Sequence, residues 1–266
     1  TTTTTTTTAD DDECDRLVQE MVQTVTPQLE RLHCLIIGPG LGRSPLVFRA
    51  VAQIIRHAKA QNLALVLDAD ALYMLSLSEY RNLLRGYDRA VLTPNVVEYQ
   101  RLLVSNHSAG AEEGEDDSSS FPFQDVVMVR KGREDEIQVN GRVQHVCAET
   151  GGLKRSGGIG DVLAGTIGTL VAWKTILEQQ QQQPPATTSD ENATTATTAT
   201  TETTATATVI DQPNLPFSCW VACCFVKRAT AQAFGRKKRA MTAPDILDRL
   251  GPAVDEMTTT RSSSEE

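Results

Sequence analysis

Residues 63–75 read LALVLDADALYML, and this stretch decides the fold. Leu63–Leu67 is continuously apolar, the composition of a short strand buried on both faces. Asp68 and Asp70 then bracket Ala69, and Ala71–Leu75 turns helical. A strand covered on both faces needs helices on both sides of its sheet, which is the mark of a parallel sheet in an α/β fold.

The same alternation continues outward. His33–Ile37 is an apolar run stopped by Gly38. Leu46–Ala60 carries Leu46, Val47, Ala50, Val51, Ile54, Ile55 and Ala58 at helical spacing, with Pro45 at the start. Arg89–Leu92 is a third strand, stopped by Thr93–Pro94, and Asn95 is placed to cap the helix that follows. Val126–Arg130 is a fourth. Ile137–Val139 and Arg142–Cys147 flank Asn140–Gly141, a strong hairpin signal. Helices are predicted over Asp161–Glu178, Ser218–Phe234 and Pro244–Leu250. The order predicts an α/β fold with a mostly parallel central sheet.

Not all of the 266 residues can be core. Residues 1–9 are a threonine tract closed by Ala9, and residues 179–212 are rich in Gln, Thr, Ala and Pro. Such segments bury too little apolar surface to offset their chain entropy. One domain is expected over 10–258, with disordered insertions at about 105–122 and 179–212 and a disordered tail at 259–266. The formal net charge of −9 argues against a nucleic-acid partner. No run reaches the length of a membrane span, so no membrane partner is expected. The cluster Arg236–Arg239 suits a helix end, where cations complement the dipole. The six cysteines form no CxxC pair and share no zinc spacing with histidine, so they are expected reduced.

In parallel sheets ligands bind at the carboxyl ends of the strands. Four strand ends carry unusual residues: Gly38-Pro39-Gly40-Leu41-Gly42, Asp68-Ala69-Asp70, Thr93-Pro94-Asn95 and Lys131-Gly132-Arg133-Glu134-Asp135. GGLKRSGGIGDVLAGTIG at 151–168 joins them. Its glycines Gly157, Gly158 and Gly160 precede a helix whose free N–H groups suit a phosphate or a transferring phosphoryl group. Lys154 and Arg155 add charge. Asp161 would repel a phosphate, and is better placed as the base that takes a proton from an attacking hydroxyl. The bland alternative is an acid that stabilises the helix dipole. GPGLG lacks the sixth-position glycine of a dinucleotide fingerprint and is no Walker loop. Asp70 is expected to cap the helix of Ala71–Leu75, while Asp68 is open as a metal ligand. Ala164, Gly168 and Ala172 should let the helix from Asp161 pack closely.

IIGPGLGR, LVLDADAL, AVLTPNVVEYQRL, VVMVRKGRED and GGLKRSGGIGDVLAGTIG, taken in order, resemble the ATP- or ADP-dependent NAD(P)H-hydrate dehydratases of the ribokinase-like superfamily. The resemblance covers about residues 31–178 and the two C-terminal helices. It implies a three-layer ribokinase-like fold. It also implies a lyase that uses ATP, with magnesium, to restore hydrated NADH or NADPH to NADH or NADPH. Asp161 would be the base at the substrate hydroxyl. Gly42, Asn95, Val96, Val97, Glu98, Tyr99, Gln100 and Arg101 would line the hydrated dinucleotide site. Lys131, Gly132, Arg133, Glu134 and Asp135 would bind the nucleotide, with Gly151, Gly152, Leu153, Lys154, Arg155, Ser156, Gly157, Gly158, Ile159 and Gly160. Family members carry a further segment upstream of what is here residue 10. A threonine tract stands there instead, so the resemblance implies a domain without its N-terminal part. Cytoplasm and mitochondrion are both open as locations. A vitamin or sugar kinase of the same superfamily, or a non-catalytic nucleotide-binding fragment, are the alternative readings.

Overall fold

The computed structural model of the protein describes residues 6–104, 121–182 and 214–259. The greater parts of the two expected insertions and of the tail lie outside these residues. Six strands form one sheet in chain order: β1 Cys34–Ile37, β2 Ala64–Leu67, β3 Ala90–Leu92, β4 Val127–Arg130, β5 Asp135–Val139 and β6 Arg142–Cys147. β1 to β4 are parallel, and β5 and β6 return antiparallel as a hairpin. The hairpin turn is Asn140–Gly141, with φ of 51° and 73°, the left-handed pair such a turn needs.

Helices lie on both faces. α1 Thr6–Leu29, α2 Pro45–Ala60, α3 Asp70–Leu75 and α4 Val96–Val104 belong to one layer, and α5 Ile159–Gln182, α6 Leu215–Lys237 and α7 Ala243–Thr259 to the other. The alternation of strand side chains sorts the core between them. Leu65, Leu67, Ala90, Leu92 and Met128 pack with Phe48, Ile55 and Leu72 on the first side. Ala64, Val66, Val91, Val127, Val129 and Ile137 pack with Leu163, Ile167, Cys223 and Val226 on the second. All four residues of β2 are buried, as a doubly covered strand requires. Gly168 brings α5 down on β1, since a Cβ there would lie 2.6 Å from Ile36 Cδ1.

Several boundaries differ from the sequence reading. No element was expected before His33, yet α1 begins at Thr6 and buries Val18, Val22 and Leu29 against the core. The threonine tract therefore gives way to helix before Asp10. α5 starts at Ile159 and extends to Gln182. Phe121 and Pro122, expected in an insertion, are part of the described fold, and Phe121 packs on the Gly141 turn. Thr259, expected in the tail, ends α7. Arg236 and Lys237 do occupy the last turn of α6.

Candidate functional site

The carboxyl ends of the parallel strands are laced together by backbone. Asp68 N–H donates to Ile37 O at 3.0 Å, Thr93 N–H to Leu67 O at 3.1 Å, and Lys131 N–H to Pro94 O at 2.8 Å. Gly38 turns sharply at φ 128°, and a Cβ there would fall 1.7 Å from Asp68 O, so only glycine fits. The four loops singled out in the sequence therefore form one continuous rim.

At the centre of that rim, Lys131 Nζ donates to Asp68 Oδ1 at 2.8 Å. Asp68 is 2% exposed, so this is a buried carboxylate with its cation. The structure thus gives Asp68 a lysine partner, and among the described residues no group of three or more His, Cys, Asp or Glu gathers as metal ligands would. The start of α5 sits directly above the pair. A Cβ on Gly160 would lie 3.5 Å from Asp68 Oδ2 and 3.6 Å from Lys131 Nζ. A helix N-terminus and an ammonium thus converge on one spot, an arrangement that attracts an anion.

This spot opens into a cavity of about 600 Å³. Its lining includes Lys131, Gly132, Arg133, Glu134 and Asp135, then Gly151, Gly152, Leu153, Lys154, Arg155, Ile159 and Gly160. Those twelve were expected at a nucleotide. Ser156, Gly157 and Gly158 are not in the wall. Of Gly157, Gly158 and Gly160 only Gly158 has a left-handed φ, 86°, and it faces a different groove. The sequence reading missed Ala148, Glu149, Thr150, Leu163 and the α6 face of Cys223, Val226, Lys227 and Thr230, which also line the cavity. Lys227 had a signal in the sequence, since it interrupts the otherwise apolar and small run LPFSCWVACCFV.

Lys227 organises that wall. Its Nζ donates to Arg133 O at 2.6 Å and Cys147 O at 3.2 Å, and pairs with Asp135 at 3.3 Å. Asp135 in turn accepts from Gly132 N–H at 2.9 Å. Burial pushes the Asp135 carboxyl up from its usual value, a cost that the Gly132 amide and Lys227 reduce without cancelling. Gly152 N–H donates to Thr230 Oγ1 and Lys154 Nζ to Met241 O, which fix the glycine-rich loop to α6 and to the approach to α7.

Asp161 is exposed and does not line this cavity. It lies across the ridge of α5, in an apolar groove with Gly165, Thr169, Trp173, Leu247 and Leu250. The base candidate and the anion spot are thus adjacent in sequence but open to different sides of one helix start.

The other rim residues are tied to each other. Asp70 does not cap α3 from outside, because Ala69 holds the cap position and its side chain offers no oxygen. Asp70 stands in the first turn, accepting from Gly42 N–H at 3.0 Å and Arg43 Nε at 3.1 Å. Asn95 does cap α4: its Oδ1 accepts from Val97 and Glu98 N–H, and Glu98 Oε2 accepts from Asn95 N–H. Tyr99 OH donates to Gln138 Oε1 at 2.9 Å. Val96, Val97, Gln100 and Arg101 are exposed. The Arg43 guanidinium lies 4.2 Å from the Tyr73 ring centre and that of Arg101 5.7 Å, so the glycine-rich β1 loop and α4 meet at Tyr73. Among the described residues no helix is long and apolar enough to cross a membrane.

A family model described as NAD(P)H-hydrate dehydratase (Carb_kinase) matches residues 3–250. The chain is 42% identical over 170 residues to the ATP-dependent (S)-NAD(P)H-hydrate dehydratase of Ajellomyces capsulatus, covering 58% of this chain and 43% of that protein. It is 30% identical over 246 residues to the enzyme of the same name from Emericella nidulans, covering 86% of this chain and 66% of that protein. The chain therefore spans less than two thirds of the length of either relative. In structure it resembles a hypothetical protein of Streptococcus mutans, with a TM-score of 0.55 and 18% identity over 92% of this chain and 70% of that one. It also resembles the ADP/ATP-dependent NAD(P)H-hydrate dehydratase of Bacillus subtilis co-crystallised with ATP/Mg2+, with a TM-score of 0.50 and 18% identity over 84% of this chain and 64% of that one. At such identities the two structures speak to the fold alone.

Proposed function

The chain belongs to the NAD(P)H-hydrate dehydratase family, and on that premise we propose that it carries out the ATP-dependent dehydration of hydrated NADH and NADPH to NADH and NADPH. The observation that carries the reading is the convergence of the Lys131 ammonium and the Gly160 end of α5 on one point at the mouth of a nucleotide-sized cavity. ATP lies along Lys131–Asp135 and Gly151–Arg155, with its terminal phosphate at that point. There the α5 dipole and Lys131 stabilise charge that builds on the transferring phosphoryl group.

Asp161, one residue further on, is the base for the substrate hydroxyl. Its position across the α5 ridge supports a hydroxyl on the opposite side of the phosphoryl group from the nucleotide, as an in-line transfer needs. Phosphorylation makes the hydroxyl a good leaving group, and loss of phosphate restores the nicotinamide ring. Gly42 and the α4 residues Val96 to Arg101, with Asn95, hold the dinucleotide at the other end of the rim.

Magnesium fits this site as an ion carried in on the phosphates. Three carboxylates near the cavity are already engaged, Asp68 with Lys131, Asp135 with Lys227, and Glu149 with Arg228. Among the described residues no resident cage of acids is built, and phosphate oxygens and water supply most ligands for magnesium in such sites. The ion, when bound, neutralises charge on the triphosphate. Glu134, exposed in the cavity wall, would face it through water.

The test is a product analysis with hydrated NADH, ATP and magnesium. NADH should appear with one ADP and one free phosphate for each molecule repaired. A stable phosphorylated product would make the protein a kinase, and ATP bound without turnover would make it a binding protein. Either result overturns the proposal.

A further inference from the structure

Two thiols behind the cavity have no part in the reaction above. Cys147 ends β6 and Cys224 lies in the middle of α6, and their Sγ atoms are 3.3 Å apart. Both residues are buried. The pair joins the sheet to a helix 77 residues away in sequence, at the back of the cavity wall. Ala148, next to Cys147, and Cys223, next to Cys224, both line the cavity, as does Lys227 one turn further along α6. The cavity therefore brings solvent within one residue of each sulfur.

The surroundings distinguish this pair from the other cysteines. Cys34, Cys219 and Cys223 have thiols pushed up by burial, to about 12 for Cys34. Cys147 is lowered instead, through its hydrogen bond with Cys224, with the Lys227 charge adding to the effect. Cys224 is correspondingly raised. The Lys227 ammonium, which donates to Cys147 O and lowers that thiol, favours Cys147 as the sulfur that reacts first.

We propose that Cys147 and Cys224 form a redox-modification site at which hydrogen peroxide drives an intramolecular disulfide, and that this bond weakens nucleotide binding by distorting the cavity wall. The Cys147 thiolate attacks one peroxide oxygen, breaks the O–O bond and releases hydroxide, leaving a sulfenic acid. The Cys224 sulfur then attacks the Cys147 sulfur, and the sulfenic oxygen leaves as water with the Cys224 proton. Hydroxide takes up the proton first lost by Cys147. Two thiols and one peroxide give one disulfide and two waters, with two electrons passing from sulfur to oxygen.

A disulfide is about 2.05 Å long, so the sulfurs must approach by roughly 1.3 Å. Packed interiors transmit such shifts rather than absorb them. The end of β6 and α6 move toward each other, and Lys227 Nζ cannot then keep Arg133 O, Cys147 O and Asp135 at their present distances. The loop Lys131–Asp135 loses its anchor.

The effect on ATP rests on the cavity being the nucleotide site, whereas the crosslink does not. The full chain is reduced, exposed to hydrogen peroxide, alkylated, digested and mapped by mass. A peptide linking Cys147 to Cys224, cleaved again by dithiothreitol, is the expected product. ATP affinity measured by calorimetry should fall by about fivefold or more on oxidation and return on reduction. Cys224→Ala should trap a sulfenic acid at Cys147, detectable with dimedone, and bind ATP with an affinity insensitive to peroxide. Cys147→Ala should show neither link nor sulfenic acid. Absence of the Cys147–Cys224 link, a link between other cysteines in its place, or a linked protein with unchanged ATP affinity would overturn the inference. Should the reduced chain not bind ATP at all, the reading of the cavity and the predicted loss of affinity fall together, and the mass map still decides whether the disulfide forms.

Discussion

Asp68 and Lys131 are 63 residues apart in sequence and meet at 2.8 Å under the first turn of α5. They join the end of β2 to the loop after β4, passing beneath the loop of β3. A buried carboxylate needs this cation, because an unpaired charge in the interior is costly. Lys131→Met should therefore destabilise the protein by about 3 kcal/mol, measured by urea unfolding. Adding Asp68→Leu to it should recover part of that loss, since the orphaned charge is then gone. Strictly additive losses would mean that the two residues do not depend on each other.

Asp161→Asn should leave ATP affinity and thermal stability close to those of the parent, because the side chain is exposed and lies outside the cavity proposed for the nucleotide. Turnover of hydrated NADH should fall by roughly a hundredfold or more, the usual scale for a lost general base. Near-normal turnover would remove Asp161 from the reaction and return it to the role of a dipole-stabilising acid.

Two glycines at the start of α5 should respond differently to the same change. Gly158 has φ 86° and a Cβ there would lie 2.9 Å from Ala243 Cβ. Gly158→Ala should cost about 1–2 kcal/mol of stability from backbone strain alone. Gly160 is not left-handed, and a Cβ finds ordinary contact distances at 3.5 and 3.6 Å. Gly160→Ala should keep the melting temperature and weaken ATP binding, because the methyl occupies the space above Lys131. Calorimetric titration beside thermal unfolding separates the two outcomes.

The buried Asp135 should leave a signature in the pH dependence of stability. Its carboxyl lies above the usual 3.8 in the folded protein, so the folded state holds this proton to higher pH than the unfolded state does. Its contribution is therefore most favourable below pH 3.8 and declines as pH rises through the folded value. Asp135→Asn removes that slope. The stability of the parent relative to the variant should fall from pH 3.8 upward and then level off. A difference that rises with pH across this window would mean that Lys227, rather than burial, governs the carboxyl.

The strands, most of the helices and the hairpin were legible in the sequence because their causes are local. Apolar runs stopped by polar residues mark β1 to β4, and Asn140–Gly141 marks its turn through two left-handed residues. Asn95 reveals itself as a cap because its partners, Val97 and Glu98, are within three positions. Even α1 had its signal in Val18, Val22 and Leu29, which share one face, but the threonine tract before it masks the start.

Only the tertiary structure decided what the polar residues at the strand ends do. Asp70 looks like a cap in sequence and is instead the acceptor that holds Gly42 and Arg43, across a gap of 28 residues to Gly42. Lys227 belongs to the cavity because α6 packs behind β5 and β6 and brings its ammonium to Arg133 O and Asp135. Neither side of α5 on which Asp161 opens, nor the cation that neutralises Asp68, follows from spacing. Periodicity and capping fix conformation over a few residues, whereas the partner of a buried charge depends on which distant elements the packed core brings into contact.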